Sequence, residues 1–375
     1  MKKKIGGIVA IIVVCLLAGI IYWSVFRSNE NAGFTADFTW DCTKLSKDSF
    51  DLESIYRFYT LIPLELNEKS TIGAVDKVVF VDSLVFVMDR FIASGVFVFN
   101  VKDGSFVRRI GDVGNGPGEY IELYDFSIDT KRQNIYVLCN RGKVLVYSLN
   151  GKYLDVKELP FPATNMEYSN DRFYFVTESL DKDNLYITDM DLSILDSHFP
   201  NSEYGENYRW SLLPFQQLKD GVLYRRFLDY HIYKINKDGE ISALYGFDLG
   251  PEALSIEDVQ NLPNSRLKEL TSSSTYQIKF FFDAPDYAEI LFNKNKESLV
   301  AIYDKSSGDV SVYEYSKMKN ILEDVDYPLP KYDGLSGKVY MVLYYQDIEN
   351  LVQSGFLDTE IYSKDSNPII CVFNK

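Results

Sequence analysis

The sequence predicts an all-β protein, a six-bladed β-propeller, preceded by one N-terminal transmembrane helix. The first observation behind this prediction is an uncharged apolar run from Ile5 to Phe26. The second is a hairpin pattern that recurs along the rest of the chain. The third is the abundance of 28 Tyr and 25 Phe among 375 residues, because aromatic side chains favour pleated, half-buried strands.

The apolar run is long enough to cross a bilayer. Its 22 residues, at about 1.5 Å each, cover a hydrocarbon core of roughly 30 Å. Three lysines precede the run and only Arg27 follows it, a bias that places the N-terminus in the cytoplasm and the remaining chain in the periplasm or outside the cell. The predicted organisation is therefore an anchor over 1–27, a tether and lead-in segment over 28–58 and the propeller over 59–375.

The end of the apolar run favours a retained signal anchor. Residues 20–26 continue the run without the small residues that precede a signal-peptidase site. Two alternatives stay open, a cleaved signal peptide and lipidation at Cys15. The lipidation site is a poor match, because the bulky Val14 stands where a small residue is expected.

The repeating unit is a β-hairpin with a glycine in its turn. Each copy has an apolar alternating strand, a short polar turn and a second strand with the same period of two. Glycine suits these turns because they require a positive φ. The clear copies are residues 97–107, 145–154, 232–241 and 300–310, with a degenerate copy at 185–195.

A further strand pair precedes these hairpins, as in residues 77–88 and 126–138. Four strands per unit and a spacing of roughly 40 to 50 residues are typical of propeller blades. The 304 residues from Ile72 to Lys375 are enough for six blades, and seven is the alternative count. Residues 251–275 break the β pattern, which predicts an insertion of one or two short helices.

Charge and cysteine content exclude several functions. The exported part has 35 basic and 54 acidic residues, a net charge of about −19, and nucleic-acid binding needs clustered basic residues instead. Cys42, Cys139 and Cys371 are too few and too widely spaced for a disulfide framework. We expect buried free thiols, and a bridge between Cys42 and Cys371 is the alternative.

A glycine-rich segment between two blades carries a family resemblance. Residues 109–120 include the string Gly-Pro-Gly-Glu-Tyr at 116–120, and with residues 62–65 and 367–373 this segment resembles a six-bladed propeller family, related to NHL-type propellers, of bacterial envelope proteins. The resemblance implies an export-side propeller, often lipid-anchored and without an assigned activity. This chain departs from the family in having a predicted transmembrane anchor in place of a clear lipobox.

The same segment is a structural turn rather than a phosphate-binding loop. It lacks the Lys and Ser/Thr that follow the glycines of a P-loop, and proline removes a backbone donor. We expect Glu119 and Tyr120 to anchor the turn through hydrogen bonds, with lining of the central channel as the alternative. The predicted turn motif comprises Gly114, Gly116, Pro117, Gly118, Glu119 and Tyr120.

The sequence offers little support for catalysis. His198 and His231 are the only histidines and stand 33 residues apart, so a zinc site or a hydrolytic triad would require them to meet by folding. No catalytic residue, metal ligand or cofactor is predicted, although calcium stays open because oxygen ligands from separate blades leave no spacing signature. The carboxylates considered are Glu65, Asp89, Asp125, Asp189, Asp229 and Asp283.

The best ligand-binding candidate is a loop that departs from the hairpin pattern. Tyr204, Tyr208, Arg209 and Trp210 gather aromatic rings and a guanidinium, which suit stacking on a sugar or gripping a peptide. The plainer interpretation is that this segment begins a buried strand. The sequence therefore predicts a binding or scaffold module for a glycan or protein partner, and a calcium-dependent lactonase or glycan lyase is the alternative.

Overall fold

The protein is a six-bladed β-propeller. The computed structural model describes residues 34–47, 56, 58–179, 181–204, 213–260, 262–263, 266, 269–270, 274–317, 330–353 and 366–374. Six antiparallel sheets, each built on four strands, account for nearly all of the secondary structure. The predicted transmembrane run lies outside the described residues, and no helix within these ranges is both long and apolar enough to cross a membrane.

Blades 1 to 5 each use four consecutive strands. Blade 1 contains β3 (Lys77–Val81), β4 (Leu84–Asp89), β5 (Gly95–Asn100) and β6 (Phe106–Ile110). Blade 2 contains β9 (Leu123–Asp129), β10 (Asn134–Cys139), β11 (Lys143–Ser148) and β12 (Tyr153–Glu158). Blade 3 contains β13 (Asn165–Ser169), β14 (Arg172–Val176), β15 (Asp183–Thr188) and β16 (Ile194–Pro200). Blade 4 contains β17 (Phe215–Leu218), β18 (Gly221–Arg225), β19 (His231–Asn236) and β20 (Ile241–Asp248). Blade 5 contains β21 (Thr275–Asp283), β22 (Tyr287–Lys294), β23 (Glu297–Asp304) and β24 (Val310–Glu314).

The predicted hairpins are the third and fourth strands of blades 1 to 5. Their turn glycines at 104, 151, 239 and 308 have φ of +71°, +81°, +93° and +79°, values that a residue with a Cβ adopts only at a cost. The third strands are buried because they lie in the middle of each sheet and pack against the neighbouring blades. The periodicity therefore predicted both the blades and their number correctly.

Blade 6 closes the ring with strands from both ends of the chain. It contains β25 (Lys331–Asp333), β26 (Lys338–Leu343), β27 (Ile369–Asn374) and, as the outermost strand, β2 (Phe58–Pro63). The register of the antiparallel pair places Leu61 opposite Cys371. Because the N-terminal strand completes the C-terminal sheet, hydrogen bonds hold the ring closed.

The lead-in segment lies along the outer edges of two blades. Its strand β1 (Phe38–Asp41) pairs in parallel with β20 and adds a fifth strand to blade 4. Further along, Leu45 bridges Val312 of blade 5. We call residues 34–46 the strap. Its anchor point is Trp40, which is fully buried and packs against the rings of Tyr245, Phe247 and Tyr303 at centroid distances of 5.0 to 5.4 Å.

Few other elements interrupt the blades. Two short strands, β7 (Asp112–Val113) and β8 (Glu119–Tyr120), pair between blades 1 and 2. Helix α1 (Ile256–Val259) begins at a Ser255 capping box in the predicted insertion, and the sequence missed helix α2 (Tyr345–Gln353) of blade 6. Two 3-10 turns span Asn201–Tyr204 and Tyr315–Lys317.

The described cysteines are buried free thiols. Cys42, Cys139 and Cys371 lie in three different apolar clusters, so the bridge between Cys42 and Cys371 is not formed. Burial raises the pKa of each thiol to about 12. Strand pairing closes the propeller without a covalent link.

Candidate functional site

The glycine-rich segment forms the connection from blade 1 to blade 2. The Glu119 carboxylate accepts a hydrogen bond from the Gly116 amide at 2.7 Å, and the Gly114 amide donates to the Tyr120 carbonyl at 3.0 Å. The Tyr120 ring is fully buried, and its hydroxyl lies 3.3 Å from the Ile110 carbonyl. Glu119 and Tyr120 thus form hydrogen bonds within the connecting segment itself.

Gly118 has no room for a side chain. Its φ is +76°, and a Cβ built there would lie 2.8 Å from the Tyr153 ring. The Gly118 carbonyl accepts a hydrogen bond from the buried Tyr147 hydroxyl at 2.7 Å. Gly118 thus packs onto blade 2, while the preceding residues 115–117 are exposed.

The predicted ligand loop begins at the rim of a cavity. Tyr204 is the last residue of a 3-10 turn, whereas Tyr208, Arg209 and Trp210 lie outside the described residues. The preceding residue, Glu203, lines a cavity of about 530 Å³ that we call the blade 4 pocket. Its lining residues come from the strap, the end of blade 3, blade 4 and the helical insertion: Phe34, Phe199, Glu203, Arg226, Leu228, Asp229, Tyr230, His231, Tyr233, Ser255, Ile256, Glu257 and Gln260.

Asp229 organises the polar side of the blade 4 pocket. One carboxylate oxygen lies 2.8 Å from Nδ1 of His231, and the other accepts the Tyr233 hydroxyl at 2.7 Å. Burial opposes ionisation of Asp229, but the hydrogen bond from His231 and the charge of Arg226 outweigh it, so the pKa of Asp229 is lowered. Burial and this carboxylate raise the pKa of Tyr233.

The contact with Asp229 sets the hydrogen-bonding state of His231. Because an ionised carboxylate can only accept, Nδ1 of His231 donates to Asp229. The side chain is 36% exposed, and among the residues that the structure describes Nε2 has no partner. The pocket therefore presents an oriented imidazole with one nitrogen available to a ligand.

Arg226 links the pocket to the predicted ligand loop. Its guanidinium lies 3.0 Å from Glu203 and 3.4 Å from Asp229, and it sits 4.6 Å above the Phe199 ring. Only 4% of its side chain is exposed. Arg226 thereby holds Glu203, the residue before Tyr204, against blade 4.

The backbone beside the pocket is strained at two positions. Phe199 and Leu228 have φ of +65° and +53°, a region that costs residues with a Cβ on the order of 1–3 kcal/mol. Both residues are buried. Such strain is most common at binding and catalytic sites, and here it accompanies the turn that aims Asp229 and His231 at the cavity.

Comparison with known proteins identifies the family but no activity. A family model described as a domain of unknown function, DUF4934, matches residues 37–374. The chain belongs to this family. The match includes most of the strap, which agrees with the packing of the strap against blades 4 and 5.

Two solved structures show the same fold. A protein of Bacteroides fragilis described as exported is 19% identical, with a TM-score of 0.72 over 90% of this chain and 99% of that one. A duf4221 family member of Bacteroides vulgatus is 10% identical, with a TM-score of 0.51 over 85% of this chain and 97% of that one. No curated protein matches the sequence. At these identities the likeness extends to the fold alone.

In this DUF4934 chain a buried ion network crosses the central channel. The first strands of the blades contact one another around a cavity of about 70 Å³. A wider cavity of about 580 Å³ lies at the turns between the first and second strands of blades 2, 3, 4 and 6. Lys77 of blade 1 lies 3.0 Å from Asp125 of blade 2 and 3.1 Å from Glu167 of blade 3. Burial alone would lower the pKa of Lys77, but the two carboxylates raise it. The network joins three blades and narrows the channel beside it.

The carboxylates considered as metal ligands are dispersed. Asp89 accepts backbone amides of residues 73, 74 and 92, Asp283 is paired with Lys305, and Asp189 holds the turn to residue 193. Glu65 accepts the Phe106 amide. In the described part of this DUF4934 chain, no three His, Cys, Asp or Glu side chains are close enough to share a metal ion.

Two residues of the pocket, Asp229 and His231, were candidates from the sequence, but their proximity was not predicted. Asp229 was considered only as a calcium ligand and His231 only as part of a zinc site or a hydrolytic triad. The alternating positions 229, 231 and 233 were the available signal, because alternate residues at the start of a strand point to one side. Arg226 and Phe34 carried no such signal, since their meeting depends on blade packing and on the strap.

Proposed function

We propose that this DUF4934 protein is an extracytoplasmic binding module, held at the membrane by the apolar run from Ile5 to Phe26. It recognises a glycan or protein partner in the blade 4 pocket, together with Tyr204, Tyr208, Arg209 and Trp210 of the loop that follows Glu203 in the chain. Two facts support the location: the lysines that precede the apolar run, and the description of the Bacteroides fragilis neighbour as exported. The relationship to NHL-type propellers is part of this proposal and rests on the Gly-Pro-Gly-Glu-Tyr string.

The observation that carries the proposal is the mixed lining of the blade 4 pocket. Aromatic walls from Phe34, Phe199 and Tyr230 surround oriented polar groups on His231 and Glu203. A volume of about 530 Å³ is within the range of ligand-binding cavities. The central channel narrows to a cavity of about 70 Å³ beside the Lys77 network. Its wider mouth, about 580 Å³, has Tyr168 as its one aromatic lining residue among the residues that the structure describes, and is the poorer candidate for that reason.

One observation favours an enzyme as the second candidate. Asp229 orients His231 and leaves Nε2 accessible, which is the arrangement of a general base. The calcium-dependent lactonase or glycan lyase would in addition require several oxygen ligands around one ion. The pocket supplies the base, and two of its three lining carboxylates, Glu203 and Asp229, are already held by Arg226.

Binding to defined arrays tests the proposed function. We expect the purified full chain in detergent micelles to bind a subset of an oligosaccharide array or a peptide array, with affinity reduced at least tenfold by His231→Gln and by Trp210→Ala. The matched control is Lys131→Ala, whose side chain is 78% exposed outside the blade 4 pocket. A ligand bound equally by all variants would contradict the site. Turnover of a bound ligand that only His231→Gln abolishes would favour the enzyme.

The membrane anchor has a separate test. We expect the full chain to remain with the membranes after alkaline carbonate extraction, because a spanning helix resists this treatment whereas a peripheral protein is released. Deleting residues 5–26 should release the chain. Quantitative extraction of the intact chain would contradict the anchor without affecting the binding site.

A further inference from the structure

A second cavity adjoins the blade 4 pocket. It has a volume of about 350 Å³ and lies between the outer strand of blade 3 and the outer hairpin of blade 4. Phe34 and Phe199 line both cavities, so the two meet at these rings. We call the pair the blade 3–4 groove. Its aromatic centre comes from the strap and from the end of β16, and the Phe34 ring lies 5.2 Å from that of Tyr233 and 6.3 Å from that of Phe199.

Each cavity of the groove contains a histidine close to an aspartate. Nδ1 of His231 hydrogen-bonds Asp229 at 2.8 Å in the larger cavity. In the smaller cavity Nε2 of His198 lies 3.0 Å from Asp196, without hydrogen-bond geometry. Both pairs have the spacing Asp-x-His, and these are the only two histidines of the chain.

The lining of the groove is strongly acidic. Seven carboxylates stand against one guanidinium, that of Arg226. The carboxylates are Asp183, Asp196, Glu203, Asp229, Asp238, Glu240 and Glu257. No three of the described carboxylates and histidines gather as a single metal ion would require. Charge spread along two cavities suits a ligand that carries several separate cationic groups.

The aromatic centre already binds one cation of the protein. The Arg226 guanidinium lies 4.6 Å from the Phe199 ring centroid, within the distance of a cation–π contact. The Phe199 ring and the nearby carboxylates of Glu203 and Asp229 thus already stabilise a guanidinium. A ligand arginine or lysine beside Phe34 would meet the same chemistry, with carboxylates on either side.

We propose that the blade 3–4 groove binds an extended peptide segment rich in lysine or arginine. This inference rests on the proposed binding function and names its partner as a basic segment of another protein. In an extended peptide alternate side chains point to the same side at a spacing of about 6.6–6.8 Å. Alternate basic residues therefore enter successive acidic subsites, while the aromatic centre packs against their aliphatic stems.

Exposed carboxylates allow a test that leaves the fold unchanged. The probe is an eight-residue peptide of alternating lysine and serine, titrated into the full chain in detergent micelles at about 50 mM and about 300 mM salt. The test variant is Asp238→Asn with Glu257→Gln, one exposed carboxylate from each cavity. The control is Glu68→Gln with Glu297→Gln, which removes two exposed carboxylates elsewhere. Both double variants change the net charge by the same amount.

The proposal predicts a clear separation between the variants. The wild type and the control double variant should bind the lysine peptide within twofold of each other, the groove variant at least tenfold more weakly, and all of them less tightly at high salt. A peptide of alternating glutamate and serine should not bind. Equal weakening in both double variants would show attraction to net charge alone and overturn the proposal, as would failure of the wild type to bind.

A different outcome separates this inference from the proposed function. If a neutral oligosaccharide binds, and His231→Gln weakens it while the lysine peptide shows no binding, then the groove takes a glycan and the basic-peptide inference is wrong. The proposed binding function survives that result. It fails only if no ligand from either array depends on the pocket residues.

Discussion

The buried lysine of the channel is the most consequential single residue outside the groove. Lys77 is 13% exposed, and its partners Asp125 and Glu167 are 5% and 7% exposed. We expect Lys77→Met to lower the free energy of unfolding by about 3–5 kcal/mol, because two buried carboxylates lose their cation. Urea unfolding followed by tryptophan fluorescence measures the change.

An exposed lysine provides the matched control for this experiment. Lys131 is 78% exposed and lies 4.0 Å from Asp171. The variant Lys131→Met should change stability by no more than about 0.5 kcal/mol, because exposed ion pairs are screened by solvent. Similar losses in the two variants would mean that the channel network is not a buried one.

The pocket carboxylate should make stability depend on pH. The pKa of Asp229 is lowered in the folded protein, through His231 and Arg226 acting against the effect of burial. A lowered folded pKa gives stability that is present above the unfolded value of about 3.9 and lost as the pH falls through the folded value. The difference in Tm between wild type and Asp229→Asn should therefore shrink between about pH 5 and pH 3. A difference that stays constant over this range would contradict the assignment.

At the scale of elements, Trp40 is the largest buried side chain of the strap. Trp40 is fully buried, whereas Phe38 of the same strand is 48% exposed. We expect Trp40→Ala to cost about 3–5 kcal/mol, because it empties a large site among three aromatic rings. Phe38→Ala should cost less than about 1.5 kcal/mol, since much of that ring is already in water. Thermal unfolding of the two variants compares them directly, and equal losses would mean that β1 does not dock through Trp40.

The elements that can be predicted from the sequence are those that a short residue pattern determines. The hairpin turns were predictable because glycine at 104, 151 and 239 marks a positive φ inside an alternating pattern. The strap lies in the predicted lead-in segment, but its place in blade 4 was not predicted, because its pairing with β20 joins residues about 200 positions apart. Helix α2 was missed since it is short and interrupts the strands of a blade.

At the scale of the whole molecule, the site was harder to predict than the fold. The repeats predict six blades because each blade is a local unit of consecutive strands. The groove forms only where blade 3, blade 4, the helical insertion and the strap meet, and Phe34, Phe199 and His231 come from three of these. No local pattern encodes that meeting. The predicted ligand loop begins one residue after Glu203 of the groove, and its members Tyr208, Arg209 and Trp210 stay a prediction because they lie outside the described residues.

The strap, the channel and the groove all depend on a ring of six blades closed by β2 against β27. The most direct test introduces Leu61→Cys opposite the native Cys371, both of which pack in the same apolar cluster. Directly opposed residues of an antiparallel pair bring their Cβ atoms about 4.5–5.5 Å apart, close to the spacing of a disulfide. Thr60→Cys is the control, because its side chain points to the other face.

After mild oxidation, we expect peptide mapping by mass spectrometry to find a link between residues 61 and 371 in Leu61→Cys and none in Thr60→Cys. The linked protein should also unfold at a higher temperature, because the closed loop restricts its unfolded chain. Absence of the 61–371 link, or equal linking in the two variants, would contradict the closed six-bladed ring.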